Sequence, residues 1–235
     1  MLSPAQPAQS RRRAIFGFTL VELMVVTGTL ALMAVLSWRG LDGMFRARAQ
    51  LEARTHQIEI ARVGLAQWRA DLDAMVQTPP LSILDWDGKV LRLIRRSTAD
   101  PSDGLLVAAW MRRETSGGGQ WVRWQSAPMQ TRVDLVSAWD EAGRWAQNPG
   151  LPERQREVVV LPILQWRIFY FRGETWSNPL SSEGTLPEGV ATSVTTANEN
   201  AAVDGIRLVL SLPPGHALAG DITTDWVRPT LSFGN

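Results

Sequence analysis

The chain has 235 residues, 45% hydrophobic and 20% charged, and contains no cysteine. These proportions describe a globular protein with enough length for one or two cored domains, and they exclude disulfide staples, cysteine zinc sites and a cysteine nucleophile. The formal charge is +1, but three arginines sit in the first 17 residues without an acid, leaving −2 on the remainder. That balance gives no basic footprint for a nucleic acid.

Residues 1–10, "MLSPAQPAQS", are polar and proline-bearing, and no regular structure is expected there. Arg11, Arg12 and Arg13 then lead into an apolar run from Phe18 to Trp38. As a helix this run is ~31 Å long, the thickness of a bilayer core. The preceding arginines place the N-terminus in the cytoplasm and the C-terminal part outside, by the positive-inside rule. Glu22 lies inside the apolar stretch, where a carboxylate costs a few kcal/mol or more in lipid. A secretory signal peptide and an ordinary signal anchor both fit the arginines. No clean A-x-A cleavage site follows the run, and neither reading explains Glu22.

The helical pattern continues past Trp38. Ile58, Ala61, Leu65, Trp68, Leu72 and Met75 recur at steps of three and four, which predicts an apolar stripe facing a sheet. Pro79-Pro80 ends the pattern. A helix from about Phe18 to about Val76 would be ~90 Å long. Gly40 and Gly43 mark a place for bending or local melting at the membrane exit, because each glycine costs about 1 kcal/mol in a helix. Leu41, Met44, Phe45 and Leu51 lie before the stripe, beyond the expected reach of the sheet, where they are free to pack on other helices.

Beyond Pro80 the period changes to two. Strands are predicted at Lys89–Ile94, Leu105–Met111, Trp121–Gln125, Arg132–Trp139, Glu157–Pro162, Leu164–Arg172 and Gly205–Pro213. Turns fall at "DWDGK", "ADPSDG", "SGGGQ", "NPGLPE" and "RGETWSNP". The predicted class is α+β: a long N-terminal helix, with a transmembrane half and a spine half, packed on an antiparallel sheet.

The string Gly17-Phe18-Thr19-Leu20-Val21-Glu22 resembles the processing signal of type IV pilins and pseudopilins. The resemblance implies cleavage after Gly17, N-methylation of Phe18 and a role in assembly for Glu22. It also implies four segments. Residues 1–17 would be a cytoplasmic leader that is removed, and 18–38 the transmembrane helix. Residues 39–78 would be the periplasmic spine and 79–235 the β-rich head. An amine created at Phe18 and the Glu22 carboxylate are both poorly tolerated in lipid, and pairing them between subunits satisfies both. The alternative for Glu22 is snorkelling toward the headgroups.

Further strings, "SWRGLDGM", "WRADLDAM", "LQWRIFYFRGETWSNP", "LPEG" and "IRLVLSLP", are similar to the minor pseudopilin J family of type II secretion systems (GspJ). This resemblance implies the bacterial inner membrane, a single pass and a periplasmic head. The implied partners are the prepilin peptidase and methylase, the minor pseudopilins I and K with H as a further candidate, and the major pseudopilin. In that family "LP-x-G" runs almost directly into the last strand pair, whereas here Val190 to Asp204 intervene. A minor pilin of a type IV pilus system and a pilin-like substrate-binding module are the alternatives.

No cofactor or metal site is expected, and the chain is read as a structural protein rather than an enzyme. His56 and Glu59 share a helical face, but no third ligand accompanies them. Asp85–Asp87, Asp100–Asp103 and Asp221–Asp225 offer oxygens for calcium without the EF-hand order, and are read first as turns. No G-x-S-x-G elbow or phosphate-cradling loop is present. The eleven tryptophans are read as core, with a protein interface as the second choice and carbohydrate stacking as the third. Trp121 and Trp124, three apart in a strand, should face opposite sides.

Overall fold

The computed structural model describes residues 17–78, 83–98, 100–172, 175–180 and 203–229. The fold is α+β, with one long N-terminal helix followed by antiparallel sheets. Two compact units divide the chain, residues 1–52 and 53–235.

Helix α1 covers Leu20–Asp73. Its first part makes up the described portion of the first unit, and every residue from 17 to 52 is exposed. It is long and apolar enough to cross a membrane. The helical pattern runs through Gly40 and Gly43 without a break, so the local melting expected there is not observed. The helix ends at Asp73, slightly before the expected Val76.

In the second unit, α1 buries Ala61, Gly64, Trp68, Asp71 and Leu72. Leu65 and Met75 are half-buried against the same core. Ile58, expected on this face, is exposed, although the head reaches the helix at the neighbouring Gln57, whose Oε1 accepts the Ala217 N–H at 2.8 Å. Gly64 explains itself by close approach: a Cβ there would lie 2.3 Å from Val160 Cγ1.

The first sheet has five antiparallel strands in sequence order: β1 Leu84–Trp86, β2 Val90–Arg96, β3 Leu105–Thr115, β4 Gly118–Gln125 and β5 Glu157–Pro162. The second has four, β6 Gln165–Arg172, β7 Thr175–Ser177, β8 Gly205–Leu212 and β9 Gly220–Val227, in the order β7-β6-β8-β9. The head therefore holds two sheets where the sequence suggested one. Strand β3 is covered on both faces, which is why its sequence is a continuous apolar run. Leu106, Ala108 and Trp110 join the core shared with α1 and the second sheet. Val107, Ala109 and Met111 alternate into a second core. Trp121 and Trp124 separate between the two cores as expected.

That second core is closed by a helix the sequence reading missed. Residues Arg132–Gln147, expected to begin as a strand, form helix α2. Thr131 caps it, its side chain accepting the Asp134 N–H. Leu135, Ala138, Ala142 and Trp145 are its buried face, at steps of three and four. A short helix α3, Leu151–Gln155, leads on to β5. The segment 181–202 lies outside the described residues, and with it "LPEG" and most of the Val190 to Asp204 stretch. Strands β8 and β9 pair directly beyond it.

Candidate assembly site

Gly17, Phe18 and Thr19 precede the first turn of α1. Thr19 closes the helix end in two ways: its Oγ1 accepts the Glu22 N–H at 3.3 Å and its carbonyl accepts the Leu23 N–H at 3.2 Å. Thr19-x-x-Glu22 thus has the order of a capping box, with the acid near the positive end of the helix dipole. That local role for Glu22 was readable from the threonine three residues earlier and was overlooked. Phe18 is 79% exposed, and Leu20, Val21, Leu23 and Met24 are exposed around the carboxylate. Among the described residues, no side chain bonds the Glu22 carboxylate. This end of α1 is an apolar surface carrying one anionic group.

Further along, Leu41, Met44, Phe45 and Leu51 are also exposed. Asp42 pairs with Arg46, and Arg48 bonds Glu52 at 2.8 Å, so the charges of this stretch are tied along the helix itself. The four apolar side chains stand free between them. Arg11, Arg12 and Arg13 lie outside the described residues.

The head's polar centre was not anticipated. Asp71, fully buried, sits beside Leu72 on the inner face of α1. Its Oδ2 accepts from Trp110 Nε1 and Arg123 Nε, each at 2.8 Å. Its Oδ1 accepts from Gln67 Nε2 at 2.8 Å and Arg123 Nη2 at 2.9 Å, and lies 3.2 Å from Arg95 Nε. Burial holds the Arg95 guanidinium below the ordinary arginine range; Asp71 opposes that shift and Arg123 adds to it. This cluster ties α1 to strands β2 and β4. Nearby, Asp73 Oδ1 accepts from Trp226 Nε1 at 2.7 Å, linking α1 to β9.

The acidic stretches considered for calcium have other occupations. Asp85 pairs with Arg92. Asp87 accepts the Lys89 and Val90 N–H groups, both at 2.8 Å, in a turn. Asp100 accepts from Ser102, which lowers its pKa. Asp221 to Asp225, read as a turn, belongs to β9: Asp221 accepts from Arg167 and Ser211, and Asp225 from Arg207. Among the described residues no group of three or more His, Cys, Asp and Glu side chains could hold a metal ion. His56 and Glu59 instead line a groove beside β5. Five tryptophans, Trp68, Trp110, Trp121, Trp124 and Trp145, are wholly buried, as the core reading expected.

No protein-family model matches this chain, and no curated protein matches it.

Proposed function

We propose that this chain is a minor pseudopilin, a structural subunit near the tip of a type II secretion pseudopilus that supports protein export across the outer membrane. The observation that carries the reading is the first part of α1: a membrane-length apolar helix, uncovered along its whole described length, with a single carboxylate at its capped N-terminal end. A side chain as costly in lipid as Glu22 is retained where it has a partner to meet. An N-terminal amine on Phe18 of a neighbouring subunit supplies that partner, once a peptidase has cut after Gly17 and a methylase has modified Phe18. In this reading the helix anchors the chain in the bacterial inner membrane with its head in the periplasm. The minor pseudopilins I and K, with H as a further candidate, and the major pseudopilin pack against the exposed Leu41, Met44, Phe45 and Leu51. The protein is a building block and not an enzyme.

The test is Glu22→Leu in the native host. Membrane insertion should persist, because a greasier helix inserts more readily. Crosslinking to neighbouring subunits and secretion should both fall. Unchanged crosslinks with normal secretion would refute the assembly role of Glu22.

A further inference from the structure

The head carries a groove that assembly through the first part of α1 does not use. It lies between α1 and β5, holds about 500 Å3, and is walled by Ile60 and Val63 on the helix and Val158, Val159 and Val160 on the strand. Val63 is 68% exposed and Val158 58%, so much of this apolar lining faces water. Three successive strand residues line the groove. Successive side chains alternate between faces, so a lining of this kind follows the strand's edge. Strand β5 ends its sheet, and among the described residues its outer edge has no neighbouring strand. Proteins usually blunt such edges with charge, proline or a cover. Here Pro162 and a register shift at Val160 interrupt the far end of β5, while at the near end its one charged residue, Glu157, is taken by Arg113 at 2.8 Å and Trp145 at 2.6 Å, which leaves the stretch around Val158 and Val159 as the open edge.

The groove also borders a buried cluster whose charges do not balance. Arg123, 8% exposed, lines it and sits opposite Val158 in the β4–β5 register. Its Nε and Nη2 both bond Asp71, and Arg95 lies against the same carboxylate. Two guanidiniums share one acid, which leaves this buried cluster one positive charge in excess. Trp110 and Gln67 donate to Asp71 as well, so its oxygens have no capacity to spare. Among the described residues Arg123 Nη1 makes no hydrogen bond. His56 and Glu59 stand on the helical wall, and neither bonds Arg123.

We propose that this groove docks an extended apolar segment of a partner polypeptide bearing one carboxylate, which pairs its backbone along the β5 edge and sets the carboxylate on Arg123. The excess charge selects an acidic ligand over a neutral or basic one. The unpaired edge selects a peptide over a fatty acid, because only a peptide returns backbone donors and acceptors to it. The inference does not rest on the pilin reading: it holds for any chain with this head, and it fails or stands without regard to Glu22.

The experiment uses the full chain in phosphatidylcholine nanodiscs, with empty nanodiscs as control, and a fluorescein-labelled heptapeptide Val-Thr-Val-Glu-Val-Thr-Val read by anisotropy. The peptide should bind about ten-fold or more tighter than its Gln counterpart, because only the carboxylate makes a charge-assisted pair with Arg123. Val63→Glu and Val158→Glu, both at the exposed rim, should each weaken it about ten-fold or more by competing for Arg123 and repelling the ligand, with the melting temperature unchanged. Peptide N-methylated at alternate residues should not bind. Equal affinity for the Glu and Gln peptides, no binding at all, or wild-type affinity in both variants would overturn the proposal. Displacement by decanoate together with full binding of the N-methylated peptide would also overturn it, in favour of an amphiphile site.

Discussion

Helix α1 solves two different problems along one length. From Leu20 to Glu52 its apolar residues point in every direction and all are exposed. From Ala53 to Asp73 the buried positions are Ala61, Gly64, Trp68, Asp71 and Leu72, while Arg62 and Arg69 face water. A helix with one apolar stripe is complete when a sheet covers it, and a helix apolar all round is complete only in lipid or among other helices. The buried face of the second part therefore contributes to the folding stability of the head. Surface alone does not set this division. The buried part holds a charged cluster at Asp71, whereas among the described residues the exposed part gives the Glu22 carboxylate no partner.

The comparison breaks most visibly at Asp71. Asp71→Ala strands Arg95 and Arg123 in the core and removes the acceptor for Trp110, so the head should lose about 3–5 kcal/mol of stability. Denaturant unfolding measures this, and a loss under about 1 kcal/mol would show the cluster to be solvated. The pair Leu72→Ala and Phe45→Glu then sharpens the contrast. Leu72→Ala should cost about 2–5 kcal/mol as a core truncation. Phe45→Glu should leave head stability within about 0.5 kcal/mol while weakening co-purification with pseudopilins I and K. If Phe45→Glu unfolds the head, the two parts of α1 are not separable.

The smallest effect concerns a surface pair on the second sheet. Hydrogen bonds from Arg207, at 2.7 Å to each oxygen, hold Asp225 below the usual carboxylate range, and burial opposes them. A depressed folded pKa adds stability above the unfolded value of about 3.9, and that stability is lost as pH falls through the folded value. Both groups are well exposed, so solvent screening keeps the contribution below about 1 kcal/mol. NMR titration should show the Asp225 pKa rising in Arg207→Gln. An unchanged value would assign the shift elsewhere.

Much of this architecture was legible because periodicity reports burial. The stripe on α1, except for Ile58, and the apolar run of β3 follow from the sequence, and β5 was placed with its observed bounds. Helix α2 was misread because Val133 and Leu135 alternate like a strand. The helical stripe becomes visible only when Ala138, Ala142 and Trp145 are added, with Thr131 as its cap. Strand β9 was missed because its outer face reads Asp221, Thr223, Asp225, a polar series that resembles a turn. Strands β1 and β7, three residues each, are too short to show a period. Asp71 was invisible for another reason: an acid within an apolar stripe shows nothing of partners on distant strands. At the candidate assembly site, Gly17, Phe18 and Glu22 were located by their motif, whereas the cap linking Thr19 to Glu22 emerged from the backbone.

The central claim is that the first part of α1 belongs to a processed, assembling subunit. Intact-mass analysis of the protein extracted from membranes of its native host tests this most directly. The account predicts a chain that begins at Phe18, lacks residues 1–17 and carries one added methyl group. A mature chain that begins near Ala34, or one that retains its first 17 residues, would contradict it.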